Sequence, residues 1–178
     1  MPENLLILHP AEPYTCISEV EILEALREIG LADDEFEWQE ERHFRPGERY
    51  LQLITFLGCS PVVSLGEPGV TGDEFAHLAI EVKDDHPVLM AGSNIKQPRC
   101  PKCRERVTSV QENSNWQCPA CAHETTTECL DWRQSAGFGR IFVKIWGVFE
   151  GEAVPSDELL RRLGAIADTP WKYFYLRR

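Results

Sequence analysis

Residues 139–150 read GRIFVKIWGVFE, and the placement of this run decides the fold. Bulky apolar residues fall on both sides of the period-2 alternation, which predicts a long strand covered on both faces. Downstream, Pro155 and Ser156 open a helix that carries Leu159, Leu160, Leu163 and Ile166 on one side, and Pro170 stops it. WKYFYL at 171–176 follows as a final aromatic strand.

Upstream of the central run, Leu5 to His9 form a short apolar strand ending at Pro10. Ser18 and Glu21 have the spacing of a capping box. Val20, Leu23, Leu26 and Ile29 then recur at helical intervals, widened by Ile22 and Ala25, up to Gly30 as the C-terminal stop. The acidic stretch 33–41 alternates Phe36 and Trp38 with charges and fits a solvated edge strand. RYLQLITFL at 49–57 is apolar on both faces and reads as a central strand. Residues 75–82 read as another strand, with Ala76, Leu78, Ile80 and Val82 facing the core. His77 and Glu81 share its other side about 13 Å apart, too far for a direct pair.

Between these elements lie two C-P-x-C pairs, Cys100-Pro101-Lys102-Cys103 and Cys118-Pro119-Ala120-Cys121, with fourteen residues between them. Two thiolates two residues apart fit one tight knuckle, and two knuckles supply the tetrahedral sulfur set that zinc prefers. Each proline stiffens its turn. A hairpin between the knuckles, turning at 112–115, is expected, with Trp116 over the metal. Four cysteines fill the coordination sphere, so the expected cofactor is one structural zinc ion held by Cys100, Cys103, Cys118 and Cys121. Cys129 falls outside the spacing and is expected to be a buried small residue.

The paired knuckles resemble the zinc ribbons found in many unrelated proteins, a likeness that covers about a fifth of the chain. Rubredoxin-type knuckles often carry glycine after the second cysteine, where this chain has Arg104 and Ala122. That departure and the short separation favour zinc over iron. The whole chain resembles uncharacterised bacterial proteins with an inserted zinc ribbon, some of which carry a transporter-ATPase label. The G-x-x-x-x-G-K-[ST] phosphate cradle and G-x-G-x-x-G are both absent from the sequence, so nothing in it supports that label.

With the ribbon removed, the element order approaches β-α-β-β-α-β. The expected fold is therefore an α+β two-layer sandwich, ferredoxin-like in order. A discontinuous domain, 1–94 and 128–178, would carry the ribbon as an insert at 95–127.

The chain has 178 residues, 43% hydrophobic and 26% charged, as in globular proteins. It has no apolar run of membrane-spanning length, and MPENLLILHPAEP lacks the basic start of a signal peptide. A cytoplasmic location is the expectation, and seven cysteines, an odd number, then favour metal ligation over disulfides. A net charge of −11 repels phosphates and anionic membranes and favours a basic or neutral protein partner. The ribbon alone is locally basic, since Lys96, Arg99, Lys102, Arg104 and Arg106 outnumber Glu105, Glu112 and Glu124. A nucleic-acid contact through its tip is one alternative function.

The other alternative is an enzyme built on the glycine-rich loop 58–73. There Cys59 follows a strand end and is the candidate nucleophile, with His9 or His77 as a possible base. Cys16, just before the first helix, is a weaker candidate. The preferred expectation is a binding module that acts through protein contacts. Its expected contact surfaces beyond the ribbon are the loop after Leu57 and the Trp171-Tyr173-Tyr175 face, although core packing is the first reading of those aromatics.

Overall fold

The computed structural model describes residues 3–58, 63–66, 75–83, 85–112 and 114–178. The quoted run supplies the end of β9 (Ala136–Gly139) and all of β10 (Ile141–Trp146), in which every residue is buried. β10 is buried because it is central, with both flanks paired and both faces covered by apolar packing. β1 (Asn4–Pro10) lies antiparallel on one side, with Leu6 opposite Ile145, and β5 (Leu78–Val82) on the other, with Val143 opposite Ile80. β12 (Trp171–Arg177) pairs with the outer side of β1. β3 (Glu41–Pro46) and then β2 (Ala32–Trp38) extend the sheet past β5. The result is a six-stranded sheet in the order β12-β1-β10-β5-β3-β2, with every pair antiparallel.

One face of the sheet carries α1 (Glu19–Glu28) and α3 (Asp157–Ala167). Leu6, Leu8, Leu78, Val143, Ile145 and Tyr175 pack there with Ile22, Leu26, Leu159 and Leu163. On the opposite face Leu5, Ile7, Phe142, Phe174 and Leu176 pack with Val88 and Met90 of β6 (Val88–Ala91), which pairs with β9. Each large aliphatic buried this way contributes about 1.5–3 kcal/mol.

The second face also holds charge. Lys144 is only 7% exposed, and its ammonium meets Glu81, which also accepts from Lys83. Burial pushes the Glu81 carboxyl up, but the two lysines outweigh it and hold the group below the usual carboxylate range.

The structure has the expected mixture of strands and helices, but the ferredoxin-like order is not what it shows. β1 has antiparallel neighbours on both sides, and three two-stranded pairs lie outside the main sheet among the described residues. The segment 49–57 accounts for part of this difference. It forms a one-turn helix, α2 (Tyr50–Leu53), and then a three-residue strand, β4 (Ile54–Phe56), which pairs with β11 (Ala153–Pro155) away from the main sheet. Tyr50, Leu53 and Ile54 are buried while Leu51 is 53% exposed, so the apolar residues follow the helical period.

The expected stripes on the longer helices also need trimming. The Ser18 capping box forms as read, and Gly30 takes φ +80° beyond the helix end. Val20, however, is 63% exposed, and Ile166 also points outward. Trp171 and Tyr175 face the helices as core, and the Tyr175 hydroxyl donates to the Ala153 carbonyl at 2.7 Å. They do not offer the contact surface considered above.

No helix among the described residues is long and apolar enough to cross a membrane.

Candidate metal centre

The four cysteines of the two C-P-x-C pairs converge. Their Sγ atoms all lie within 4.8 Å of one another. Across the knuckles, Cys100 to Cys121 is 3.8 Å and Cys103 to Cys118 is 3.5 Å. A disulfide would need about 2.05 Å. A tetrahedron with metal–sulfur bonds of about 2.3 Å has sulfur–sulfur edges of about 3.8 Å, so the set fits a single tetrahedral ion.

The two knuckles are built alike. In the first, the Arg104 N–H donates to the Cys100 carbonyl at 3.0 Å and the Cys100 N–H to Glu105 at 2.8 Å. In the second, the Ala122 N–H donates to the Cys118 carbonyl at 2.9 Å and the Cys118 N–H to His123, also at 2.9 Å. Arg104 has φ +67° and Ala122 φ +55°. The residue after each second cysteine must therefore adopt the left-handed conformation, whether or not it is glycine. In each pair the first cysteine is buried and the second lies further out.

The environment separates the thiols. Burial raises the Cys100 thiol, but the Cys103 and Lys102 main-chain N–H groups outweigh it and bring the thiol down to about 7. The Glu105 main chain acts to lower Cys103, but burial and the three neighbouring sulfurs push it up to about 12.

The expected hairpin between the knuckles is replaced by one around each knuckle. Arg99 bridges to Arg106 across the first. Across the second, β7 (Asn115–Gln117) pairs with β8 (Glu124–Thr126). The spacer therefore connects two hairpins. Trp116 packs with Leu89, Val107, Val110, Leu130, Trp132, Ala136 and Phe138 in a third apolar cluster. This cluster joins the two knuckle hairpins to β6 and β9. Trp132 donates its indole N–H to the Thr127 carbonyl at 3.2 Å, and the Ser135 hydroxyl accepts from the Lys96 N–H at 2.9 Å.

Sequence reasoning missed these supports, although the apolar Leu130, Trp132 and Phe138 just past the last knuckle were a readable signal. It also missed the Arg104–Asp131 ion pair at 2.5 Å, because no motif announces a cation reaching 27 residues along the chain.

Among the described residues, the remaining candidates do not assemble. Cys59 and most of the loop 58–73 lie outside the described residues. Cys16 is exposed, and Cys129, expected to be buried, is exposed at the end of a 3-10 turn, Thr127–Cys129. His9 packs against Phe142 and Phe174, toward the end of β1 away from His77. His77 stacks on Trp146 and Phe75 and lies edge-on to His43. Among the described residues, two of the five ribbon cations are in ion pairs, Lys96 with Glu150 and Arg104 with Asp131.

Comparison with protein-family models, with curated proteins and with solved structures finds no match to this chain.

Proposed function

We propose that Cys100, Cys103, Cys118 and Cys121 hold one zinc ion as a structural ribbon, and that the protein acts in the cytoplasm by binding other proteins. The observation that carries the metal reading is the set of sulfur–sulfur distances, near the edge length of a tetrahedral thiolate site. Four thiolates complete the coordination, leaving no position for water or substrate, so the ion braces its surroundings. When bound, zinc would crosslink the two knuckle hairpins, and these rest on the apolar cluster around Trp132 and Phe138. The proposed partner is basic or neutral, in keeping with the net charge of −11.

Cobalt substitution tests the metal reading. The cobalt-loaded chain should show the strong visible and sulfur-to-cobalt charge-transfer bands of a tetrahedral four-thiolate site. Weak octahedral bands would refute it. DNA and RNA should not be retained at low salt. A salt-sensitive gel shift abolished by Lys102→Glu with Arg104→Glu would instead make the ribbon a nucleic-acid contact.

A further inference from the structure

The two knuckles are alike inside and differ in what holds them from outside. Arg99 stands immediately before Cys100 and Arg104 immediately after Cys103, and one residue, Asp131, grips both. The Arg99 N–H donates to the Asp131 carbonyl at 2.9 Å, and the Asp131 N–H to the Arg99 carbonyl at 3.0 Å. The Asp131 carboxylate accepts from the Arg104 guanidinium through Oδ2 at 2.5 Å, and from the Arg133 main-chain N–H through Oδ1 at 2.9 Å. The bond to Arg133 fixes the carboxylate from its own side of the chain, so Arg104 meets an oxygen already in place.

Asp131 is itself anchored. Its neighbour Trp132 is buried, donates its indole N–H to the Thr127 carbonyl, and packs in the apolar cluster with Phe138 of β9. A continuous path from Phe138 through Trp132 and Asp131 therefore reaches both ends of the first knuckle without passing through a sulfur. It secures the costly part of the turn, the left-handed Arg104 at φ +67°.

Among the described residues, the second knuckle has no counterpart to this grip. Ala122 takes the place of Arg104, with φ +55° and a methyl side chain that can form no hydrogen bond. Gln117 takes the place of Arg99, and its side chain bonds within the hairpin, to Glu124 at 3.3 Å. The β7–β8 hairpin is tied to the body at its open end, by Trp116 and by the Thr127 N–H on the Ser114 carbonyl.

We propose that Asp131 is a positioning residue for the metal centre. It presets Cys100 and Cys103 in ligating geometry before metal binds, and Cys118 and Cys121 close on the ion afterwards. The proposal rests on the zinc reading above and adds an order of assembly to it. Presetting one pair removes an ordering cost from the binding step, and partners beyond the ligands tune metal affinity by about 10–100-fold. The Arg104 side chain is 61% exposed, which places the expected effect at or below the low end of that range.

Charge and position predict opposite signs. Four thiolates on a divalent ion leave the site anionic, so Asp131 acting as a charge would oppose metal binding, and its removal would tighten it. Acting as a strap, its removal weakens binding. Zinc affinity of the reduced full chain, measured by chelator competition, separates the two. Asp131→Ala and Arg104→Ala should each weaken binding about three- to tenfold, and the double variant should weaken it no more than either alone. Asp131→Asn keeps the shape of the side chain and should weaken binding as well, which preserves the test if Asp131→Ala perturbs the fold. In the metal-free chain, the Cys100 and Arg104 amides should exchange more slowly than those of Cys118 and Ala122, and Asp131→Asn should close that gap. Equal or tighter zinc binding in Asp131→Ala and Asp131→Asn would overturn the proposal, as would equal exchange at the two knuckles of the metal-free chain. Those results leave the tetrahedral cobalt spectrum of the unaltered chain intact; loss of that spectrum would bring down the zinc reading itself, and this proposal with it.

Discussion

Gly137 shows how tightly single positions are specified. A methyl group placed there would stand 2.7 Å from Nε2 of His9 and 2.8 Å from Cε1 of Phe174, both already held in the packed second face. Gly137→Ala should therefore destabilise the protein by about 1–3 kcal/mol in urea unfolding. An unchanged midpoint would mean that the His9 ring is free to move. Ala122 predicts the opposite sign. Its φ of +55° costs a side chain what glycine avoids, so Ala122→Gly should tighten zinc binding in a chelator competition, by about 0.5–1 kcal/mol. At this scale the sequence was informative about chemistry and silent about space. The four-sulfur cluster was legible because a tetrahedral thiolate site imposes spacing on the chain. The need for glycine at 137 arises from His9 and Phe174, residues brought there by pairing across the sheet.

Legibility at the scale of elements depended on whether local signals agreed. α1 announced itself through Ser18, Glu21 and Gly30, and it formed with those caps. Residues 49–57 misled because β-forming residues also fit one helical turn with Tyr50 and Leu53 inward, and the Arg49–Glu158 ion pair fastens that turn to α3. The hairpin joining β2 to β3 turns on Gln39 and Glu40, with φ of +51° and +64°. Neither residue suits that backbone, so Gln39→Asn with Glu40→Gly should stabilise the protein by about 1 kcal/mol in thermal or urea unfolding. Loss of stability would show that Gln39 or Glu40 makes a contact worth more than the backbone strain. The knuckle hairpins pack with β6 and β9 through the Trp132 and Phe138 cluster. On that basis Cys100→Ser or Cys118→Ser should lower amide-exchange protection across 88–139 and leave β1, β10 and β12 protected. Global loss of protection would show that the main sheet depends on the metal.

At the scale of the whole molecule, buried histidines set a pH limit. His9 and His77 both have their pKa lowered to about 4, chiefly by burial. Above the ordinary value of about 6.5 both are neutral in the folded and unfolded chain and contribute nothing to the pH dependence. Between pH 6.5 and 4 the unfolded chain takes up protons that the fold refuses, so stability falls as pH drops, by up to about 3 kcal/mol for each histidine. Urea unfolding at pH 7 and pH 5 should show about 2 kcal/mol of that loss for each histidine, and a folded His77→Phe variant should show a shallower one. An equal slope in the variant would assign the acid sensitivity elsewhere.

The sheet order was the least legible feature at this scale. It follows from long-range pairings such as β1 with β10 and β12, for which neither strand carries a local instruction. The four sulfurs, by contrast, were fixed by spacing alone, and the fold places them within 4.8 Å of one another. Elemental analysis of the purified chain tests that convergence most directly. The account predicts one zinc ion per chain, lost in both Cys100→Ser and Cys118→Ser; a folded chain without metal, or zinc kept in both variants, would contradict it.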